Sequence, residues 1–198
     1  MFGPVLQGER ISLEPPRPED SAARIRWFAD HIVARYYTSP GVPLQGADGA
    51  SADRAARDES LVLWRIALDG RSIGTSFLLG IDYVSRHAMS SMMIGERSMW
   101  GHGYATEVVR LRTAFAFNEL GLERLESSSF AANVGMHRAL ERSGYRPIAH
   151  RTRQYFVDGR WHDEIVFELL RRDWLSSQSS SLVRNRSMSS GSTPAQRT

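Results

Sequence analysis

The chain has 198 residues, of which 41% are hydrophobic and 24% charged, as is ordinary for a globular protein. It contains no cysteine, which excludes a disulfide framework, a zinc–thiolate site and a cysteine nucleophile. Every one of its 25 basic residues is an arginine, but a formal net charge of only +3 argues against a nucleic-acid-binding protein.

The first part of the chain is predicted to begin with a strand and to continue into helices. Apolar residues alternate with polar ones at residues 11–13, and the Pro15-Pro16 pair ends this predicted edge strand. A helix is expected to start at residues 18–20, and a short second helix to follow from His31. Small and polar residues over 45–58 indicate a loop that leads into an exposed helix.

Three strand-like runs and a long helix are predicted for the middle of the chain. Residues 61–68 and 72–81 are apolar runs joined by "DGR", which is typical of a hairpin turn, and residues 88–95 form the third run. From Ala105 to Leu120 few positions are polar, so we expect a helix that is buried against the sheet.

The last elements are a strand, a short helix and a hairpin. Residues 124–130 favour a strand, and the helix after it begins with Asn133 as N-cap and closes at Gly144. The Asp158-Gly159 pair is the strongest hairpin signal in the chain.

Residues 176–198 are rich in serine and have few large apolar side chains, which predicts a flexible tail. The order of the remaining elements predicts a single α+β domain that spans residues 1–175.

The stretch "MWGHGYATE", residues 99–107, has two closely spaced glycines at the start of the long helix. Glycine permits a positive φ or a close approach of the backbone to a ligand. Free N–H groups at a helix N-terminus, together with the helix dipole, favour an anion such as a phosphate. A tight strand-to-helix turn explains the same pattern. The dinucleotide fingerprint would need a third glycine, and a P-loop would need a lysine.

Four segments together resemble the GNAT superfamily of N-acetyltransferases, and in particular its RimJ/RimL-type branch. The segment "IGERSMWGHGYATEVVRLRTAFAFNELGLERL" is similar to the motif that binds coenzyme A (CoA) in this superfamily. The segments "NVGMHRALERSGYR", "DGRWHDEIVFELLRRDW" and "GERISLEPPRPEDSAARIRWFAD" are similar to the parts of the branch around it. The resemblance covers residues 7–175 in order. It implies a mixed, mostly antiparallel twisted sheet, flanked by helices and splayed between its fourth and fifth strands.

The resemblance also implies acetyl-CoA as the acetyl donor and an amine as the acceptor. The amides from Met99 to Ala105 are expected to hold the CoA pyrophosphate, and the strand before them to pair with the pantetheine arm. Asn133 is expected to contact that arm, a role compatible with its N-cap. The implied CoA-binding residues are Met93, Ile94, Gly95, Met99, Trp100, Gly101, His102, Gly103, Tyr104, Ala105, Thr106 and Asn133.

Three positions depart from the family pattern. The Gln or Arg that the superfamily has three residues before the first loop glycine is Ser98 here. The serine that the branch often has three residues after the asparagine is Met136, which has no proton to donate. The strand "HAMSSMM" lacks the glutamate that the branch often carries there. The fold and the cofactor that the resemblance implies can therefore be assigned to this chain. The family's general acid and general base cannot, because the residues are not present.

Acetyl transfer requires a neutral amine and a polarised thioester carbonyl. Backbone amides from Met93 to Gly95 are candidates for polarising the carbonyl. Asp82, His87 and Glu96 are candidate bases, although each also fits an ordinary structural role. The histidines have no metal-ligand spacing, so no metal is predicted.

The acceptor cleft is expected to involve the early helices and the last hairpin. Trp27, Tyr36 and Tyr37 lie where the early helices of this branch cover the cleft, and helix packing is the alternative role. His162 belongs to the hairpin pattern of the branch and either lines the cleft or is structural. Tyr145, where the branch usually has Phe, is expected to pack in the core.

The sequence therefore predicts a cytoplasmic acetyl-CoA-dependent N-acetyltransferase that acts by direct attack in a ternary complex. The acceptor is a protein N-terminus or a small amine, and a homodimer is compatible with the branch. The alternative is a catalytically silent GNAT-fold protein that senses or binds acyl-CoA. No apolar run is long enough for a signal peptide or a membrane span.

Overall fold

The computed structural model describes residues 1–36 and 57–179, and within them the strands form one mixed sheet. The strands are β1 (Leu6–Gln7), β2 (Ile11–Glu14), β3 (Val62–Leu68), β4 (Arg71–Asp82), β5 (His87–Ile94), β6 (Arg124–Phe130), β7 (Arg146–Val157) and β8 (Arg160–Leu170). The helices are α1 (Asp20–Ala29), α2 (His31–Ala34), α3 (Tyr104–Asn118), α4 (Val134–Glu141) and α5 (residues 171–179).

The sheet order is β1-β2-β3-β4-β5-β6-β8-β7, and every neighbouring pair is antiparallel except β5 and β6. The parallel pairing of β5 and β6 covers only residues 87–89 and 124–126, and beyond it the two strands separate. These are the fourth and fifth strands when the count starts at β2, so the predicted α+β fold with its splayed sheet is confirmed. The predicted edge strand is β2, but the short β1 pairs with it on the outside.

The two predicted hairpins, β3–β4 and β7–β8, form at the Asp-Gly pairs. Asp69 and Gly70 have φ values of 49° and 75°, and Asp158 and Gly159 have 50° and 72°. Two successive positive φ values belong to the type I′ turn, whose twist matches that of the flanking strands. The Asp-Gly signal in the sequence therefore predicted the correct two residues for each turn.

The main core lies between the sheet and α3. This helix buries Val108, Val109, Ala116 and Phe117 against apolar residues of the sheet. A second, smaller cluster on the other face joins α1 and α2 to the sheet through Trp27, Val33 and Met93.

The chain remains helical from residue 171 to residue 179, so the first residues of the predicted tail continue α5. Trp174 of α5 contacts Phe117 with ring centroids 5.5 Å apart, which attaches the helix to the core. Residues 180–198 and the predicted loop over residues 45–56 lie outside the described residues. The division into a domain and a tail stays a prediction.

Candidate functional site

The glycine-containing loop connects the end of β5 to the start of α3. A short 3-10 turn, Arg97–Met99, follows β5, and Gly101 and Gly103 then adopt φ values of 81° and 84°. A Cβ on Gly101 would meet no atom within 4 Å, and one on Gly103 only the Arg10 guanidinium at 3.6 Å. The glycines are therefore required by the backbone conformation rather than by a crowded protein interior.

The N–H groups from Gly101 to Ala105 have no hydrogen-bond acceptor among the described residues. Gly103 is the N-cap of α3, and its carbonyl already accepts from Thr106 and Glu107. The positive end of the helix dipole is added to this run of free donors. The loop is thus built to bind an anion.

Arg10 and Glu107 brace this loop from outside. The Glu107 carboxylate accepts from the backbone N–H groups of Arg10 and Ile11 at 2.8 and 3.2 Å, and from the Arg10 guanidinium at 3.0 Å. The guanidinium also donates to the His102 carbonyl at 2.9 Å. Burial raises the pKa of Glu107, but these hydrogen bonds outweigh it and the net pKa lies below the ordinary value. Sequence reasoning missed this brace because the two residues are far apart in the chain.

The edge of β5 that faces the splay carries free backbone groups. Gly95 N–H donates to Ile73 O at 2.8 Å, which places it in the ladder with β4. Because the bonding direction alternates along an antiparallel strand, the Ile94 N–H points to the open side. The Ile94 carbonyl accepts from Trp100 Nε1 at 2.8 Å. Of the backbone amides predicted to polarise the thioester carbonyl, that of Gly95 therefore already donates to β4.

A cavity of about 640 Å³ lies between the loop, the β5 edge and α4. All the predicted CoA-binding residues line it except Gly95 and His102. The others in its wall are Val33, Tyr36, Met92, Ala132, Val134, Gly135, Met136, Arg138, Ala139 and Arg142. This volume is in the range of cofactor pockets. Asn133 is in the wall and caps α4, since its side-chain oxygen accepts from Met136 N–H at 3.2 Å.

The cavity passes through the sheet at the splay. Met92 and Ile94 belong to the face that packs toward α3, whereas Met93 belongs to the face that packs against Trp27 and Val33. All three strand residues line the cavity. A ligand held at the α3 N-terminus can therefore meet a second ligand that enters from the side of α1 and α2.

Trp27 and Glu96 hold α1 against the end of β5. A Cβ on Gly95 would lie 2.1 Å from Trp27 Cδ2, so the indole occupies the space above this glycine. Glu96 Oε1 accepts from Trp27 Nε1 at 3.0 Å and from Arg26 Nη2 at 2.9 Å. Neither Trp27 nor Glu96 is in the wall of the cavity. This geometry packs Trp27 against the sheet and makes Glu96 part of an ion pair. The substrate contact of Trp27 and the role of Glu96 as a base stay predictions.

Asp82 and His87, two of the predicted bases, lie at the end of β5 opposite the glycine-containing loop. They face each other at 3.8 Å across the β4–β5 turn, where Asp82 also accepts from Val84 and Ser85 N–H groups. His87 begins β5, whereas the loop follows its last residue Ile94, about 23 Å further along the strand. The role of either side chain as the base stays a prediction, and neither is in the wall of the cavity.

The predicted substrate residues are partly brought together. Tyr36 lines the cavity, and its ring centroid is 5.6 Å from that of Phe130. His162 also contacts Phe130, with ring centroids 5.7 Å apart, but is not in the cavity wall. Tyr37 lies outside the described residues. Tyr145 is buried, as expected for a core residue, and its hydroxyl is 3.0 Å from Thr113 Oγ1.

Arg138 and Arg142 are cavity residues that the sequence analysis missed. They stand four residues apart on α4, so they occupy the same side of the helix. Neither side chain has an ion-pair partner in the part of the chain that the structure describes. The sequence did carry a signal for them: both arginines follow the N-cap Asn133 and are four residues apart, which places them on one side of the predicted helix. Met136, which replaces the serine of the family pattern, also lines the cavity.

Within residues 1–36 and 57–179, no three His, Asp or Glu side chains are grouped closely enough to hold a metal ion. In the same residues no helix has both the length and the apolar character that crossing a membrane requires.

A family model described as an acetyltransferase (GNAT) domain matches residues 10–146. The probable N-acetyltransferase YjcK of Bacillus subtilis (strain 168) is 34% identical over 110 residues, which cover 54% of this chain and 59% of YjcK. The putative ribosomal N-acetyltransferase YdaF of the same strain is 29% identical over 106 residues, 54% of this chain and 57% of YdaF. The matched part thus spans less than two thirds of either relative.

Two solved structures share the fold. Spermidine N-acetyltransferase from Vibrio cholerae, in complex with CoA and spermine, has a TM-score of 0.77 at 17% identity, and the match covers 84% of this chain and 98% of that one. Mycobacterium smegmatis RimJ, in complex with CoA-disulfide, has a TM-score of 0.71 at 21% identity, over 89% and 93% of the two chains. Both likenesses concern the architecture of the chain.

Proposed function

Because the chain belongs to the GNAT acetyltransferase family, we propose that it is an acetyl-CoA-dependent N-acetyltransferase that acetylates a primary amine in a ternary complex. The observation that carries the proposal is the run of free N–H groups from Gly101 to Ala105 at the mouth of the cavity. Such a run matches a pyrophosphate, which presents several anionic oxygens to neighbouring donors.

The rest of the cavity fits the other parts of CoA. The open edge of β5 can pair its backbone with the amides of a pantetheine arm, as an added strand would. Arg138 and Arg142 bring positive charge to the α4 side, where it suits a further phosphate. The Trp100 indole, bonded to the Ile94 carbonyl, forms a flat apolar wall beside this edge.

Acetyl-CoA supplies a thioester whose acetyl group passes to the amine nitrogen, with a C–N bond formed and the C–S bond broken. The chain contributes mainly by position: the splay lets the two substrates approach from opposite faces of the sheet, which lowers the entropy cost of their encounter. The Ile94 N–H is the donor available for the developing oxyanion at this edge. We assign no side chain as an indispensable base, since Asp82 and His87 are distant and Glu96 is ion-paired; the amine then loses its proton to water.

The relatives support the finer assignment to the RimJ/RimL-type branch, in which the acceptor is a protein N-terminus or a small amine. One relative is named as a ribosomal N-acetyltransferase and one structural neighbour as RimJ. Another neighbour is a spermidine N-acetyltransferase. A homodimer and a cytoplasmic location remain part of this proposal.

The first test is turnover of the full chain with acetyl-CoA and a panel of amines. The panel contains peptides with different N-terminal residues together with small amines, and the readouts are thiol release and the mass of each product. Acetylation of at least one amine is expected. Tight CoA binding without thiol release above the solvent rate would favour the silent acyl-CoA-binding alternative.

The second test addresses the loop itself. Gly103→Val should raise the Kd for CoA at least about 100-fold by calorimetry, because a disturbed loop misaligns several charge-assisted hydrogen bonds. The matched control is Gly70→Val, which places the same side chain at a similar φ of 75° in open space, far from the cavity. Unchanged affinity in a folded Gly103→Val protein would remove the loop from the proposed site.

A further inference from the structure

The face of the sheet that carries α1 and α2 has a second cluster of functional groups beside the cavity. The register places Phe130 of β6 opposite Glu164 of β8, and His162 of β8 opposite Tyr155 of β7. Directly opposed residues of antiparallel strands share a face, so these four side chains lie on one surface. Tyr36, which lines the cavity, contacts this surface through Phe130.

Glu164 is the buried anchor of the cluster. It is 2% exposed, and its two carboxylate oxygens accept separate hydrogen bonds. The Tyr155 hydroxyl donates to Oε1 in a short contact, and Arg151 Nη1 donates to Oε2 at 2.9 Å. Because the hydroxyl gives its only proton to Glu164, its oxygen can only accept further hydrogen bonds, and the Ser128 side chain is one donor beside it. None of these three residues contributes to the CoA site described above.

Aromatic rings surround that hydroxyl. The Tyr155 ring stacks on Phe130 with centroids 4.4 Å apart and planes 17° apart. His162 packs against the edge of the same Phe130 ring at 5.7 Å, and its Nε2 is buried with no hydrogen-bond partner among the described residues. The surface is therefore largely apolar, with isolated polar atoms, as in pockets for small organic molecules.

The charges around the cluster disfavour a polycation. The acidic side chains here already have hydrogen-bond partners: Glu164 binds Arg151, and Asp163 binds His150 Nε2 at 2.8 Å. Asp158 lies 3.8 Å from His31 of α2. Basic groups remain at the rim, where the Arg35 and Arg153 guanidinium groups cover the rings of Tyr36 and Trp161. A chain of several ammonium groups would meet repulsion from these arginines, and each acidic side chain of the described residues named here already has a partner.

We propose that Tyr155, held by Glu164, accepts a hydrogen bond from the amine of the acceptor substrate, and that the acceptor is a primary amine on a flat aromatic or apolar body. The proposal rests on the proposed acetyltransferase function and adds a substrate class to it. Tyr155 touches the substrate, and Glu164 is a positioning residue that acts through Tyr155.

The test uses the full chain saturated with CoA and two probe amines, 2-phenylethylamine and spermidine, titrated by calorimetry. Wild-type protein should bind 2-phenylethylamine at least about 10-fold more tightly than spermidine. Tyr155→Phe should raise the Kd for 2-phenylethylamine about 10- to 100-fold, the range expected for one hydrogen bond from a charged donor. The Kd for CoA should not change, and Tyr83→Phe, in an exposed turn, is the matched control.

Glu164 variants separate positioning from a purely structural role. Glu164→Gln keeps an oxygen that can accept from Tyr155, so the Kd should stay within about threefold of wild type. Glu164→Leu removes that acceptor and should match Tyr155→Phe. The double variant Tyr155→Phe/Glu164→Leu should then be no weaker than either single variant, because the two residues act as one unit.

The outcomes distinguish the two proposals. If wild-type protein does not bind CoA, the proposed acetyltransferase function fails first. If CoA binds and some amine is acetylated, the substrate class is overturned by tighter binding of spermidine or by binding of neither probe. An unchanged Kd for 2-phenylethylamine in a folded Tyr155→Phe protein overturns the role of Tyr155.

Discussion

Replacing Arg112 with methionine should stabilise the protein, although the arginine makes two hydrogen bonds. Arg112 lies on α3 with no exposed surface, and Nη1 donates to Ser76 Oγ at 3.0 Å and to Ser91 O at 2.6 Å. Its Nε and Nη2 have no acceptor among the described residues, and no carboxylate of those residues pairs with it. Burial lowers the pKa of the guanidinium to about 10, and the nearby Tyr145 opposes this change.

The expected size follows from that pKa. The difference between 12.5 and about 10 corresponds to roughly 3 kcal/mol by which burial of the cation destabilises the folded state at pH 7. Removal of the guanidinium leaves the acceptors Ser76 Oγ and Ser91 O without this donor, at about 1 kcal/mol each, which offsets about two thirds of that cost. Methionine fills a similar volume, and replacement of buried charges by such residues is typically neutral or stabilising by about 1–4 kcal/mol. We therefore expect a gain of about 1 kcal/mol.

The assay is denaturant and thermal unfolding of wild-type, Arg112→Met, Arg112→Ala and Arg110→Met proteins. A gain of about 1 kcal/mol raises Tm by about 2–4 °C in a domain of this size. Arg112→Ala should lose about 2–5 kcal/mol because it leaves a cavity. Arg110 is exposed on the same helix and donates from Nη2 to Arg142 O at 2.9 Å, so its replacement should cost about 1 kcal/mol or less.

The pH dependence provides a second check of the same reasoning. Folding lowers the pKa of the Arg112 guanidinium, so the buried cation destabilises the folded state by its full amount at any pH below about 10. The destabilisation decreases as pH rises from about 10 towards 12.5, because the guanidinium loses its proton in the folded state. The advantage of Arg112→Met should therefore shrink in that window. A methionine variant that is less stable than wild type by more than about 1 kcal/mol at pH 7 would refute the argument that desolvation outweighs the hydrogen bonds.

Three other predictions concern acid stability, proton transfer and the end of the chain. The pKa of Glu107 in the folded protein lies below its ordinary 4.5, so the carboxylate stabilises the fold above pH 4.5 and this stabilisation is lost as pH falls through the folded pKa. In Glu107→Gln the free energy of unfolding should therefore decrease less steeply with falling pH in the acid range. Asp82→Asn, His87→Gln and Glu96→Gln should each lower kcat/KM by less than about 100-fold, and a loss above about 1,000-fold in any of them would reveal a dedicated base. Deletion of residues 180–198, which have few large apolar side chains, should change the free energy of unfolding by less than about 1 kcal/mol.

The sequence predicted the helices and strands well because the signals it carries are local. The Asp-Gly pairs located the two predicted hairpins, since few residues adopt two successive positive φ values. Asn133 and Gly144 marked the ends of the α4 segment, where one caps the helix and the other has a φ of 93°. The positive φ values of Gly101 and Gly103 likewise follow from the residue type.

Long-range pairing decided which of these residues meet. Asp82 and His87 were reasonable candidates by composition, but the direction of β5 puts them at the end opposite the loop. Arg10 and Glu107 come together because β2 lies beside the first turn of α3. The burial of Arg112 contradicts its residue type, which ordinarily predicts a solvated position.

The sequence by itself determined the local backbone: where strands turn, where helices begin, and where an anion can approach free N–H groups. The tertiary structure alone decided the splay of β5 from β6, the cavity that passes through it and the Glu164–Tyr155 pair on the far face. Local conformation depends on contacts and hydrogen bonds between residues a few positions apart, and these follow directly from the residue types. The site depends on strand order and register between segments tens of residues apart, which only the packing of the whole sheet fixes.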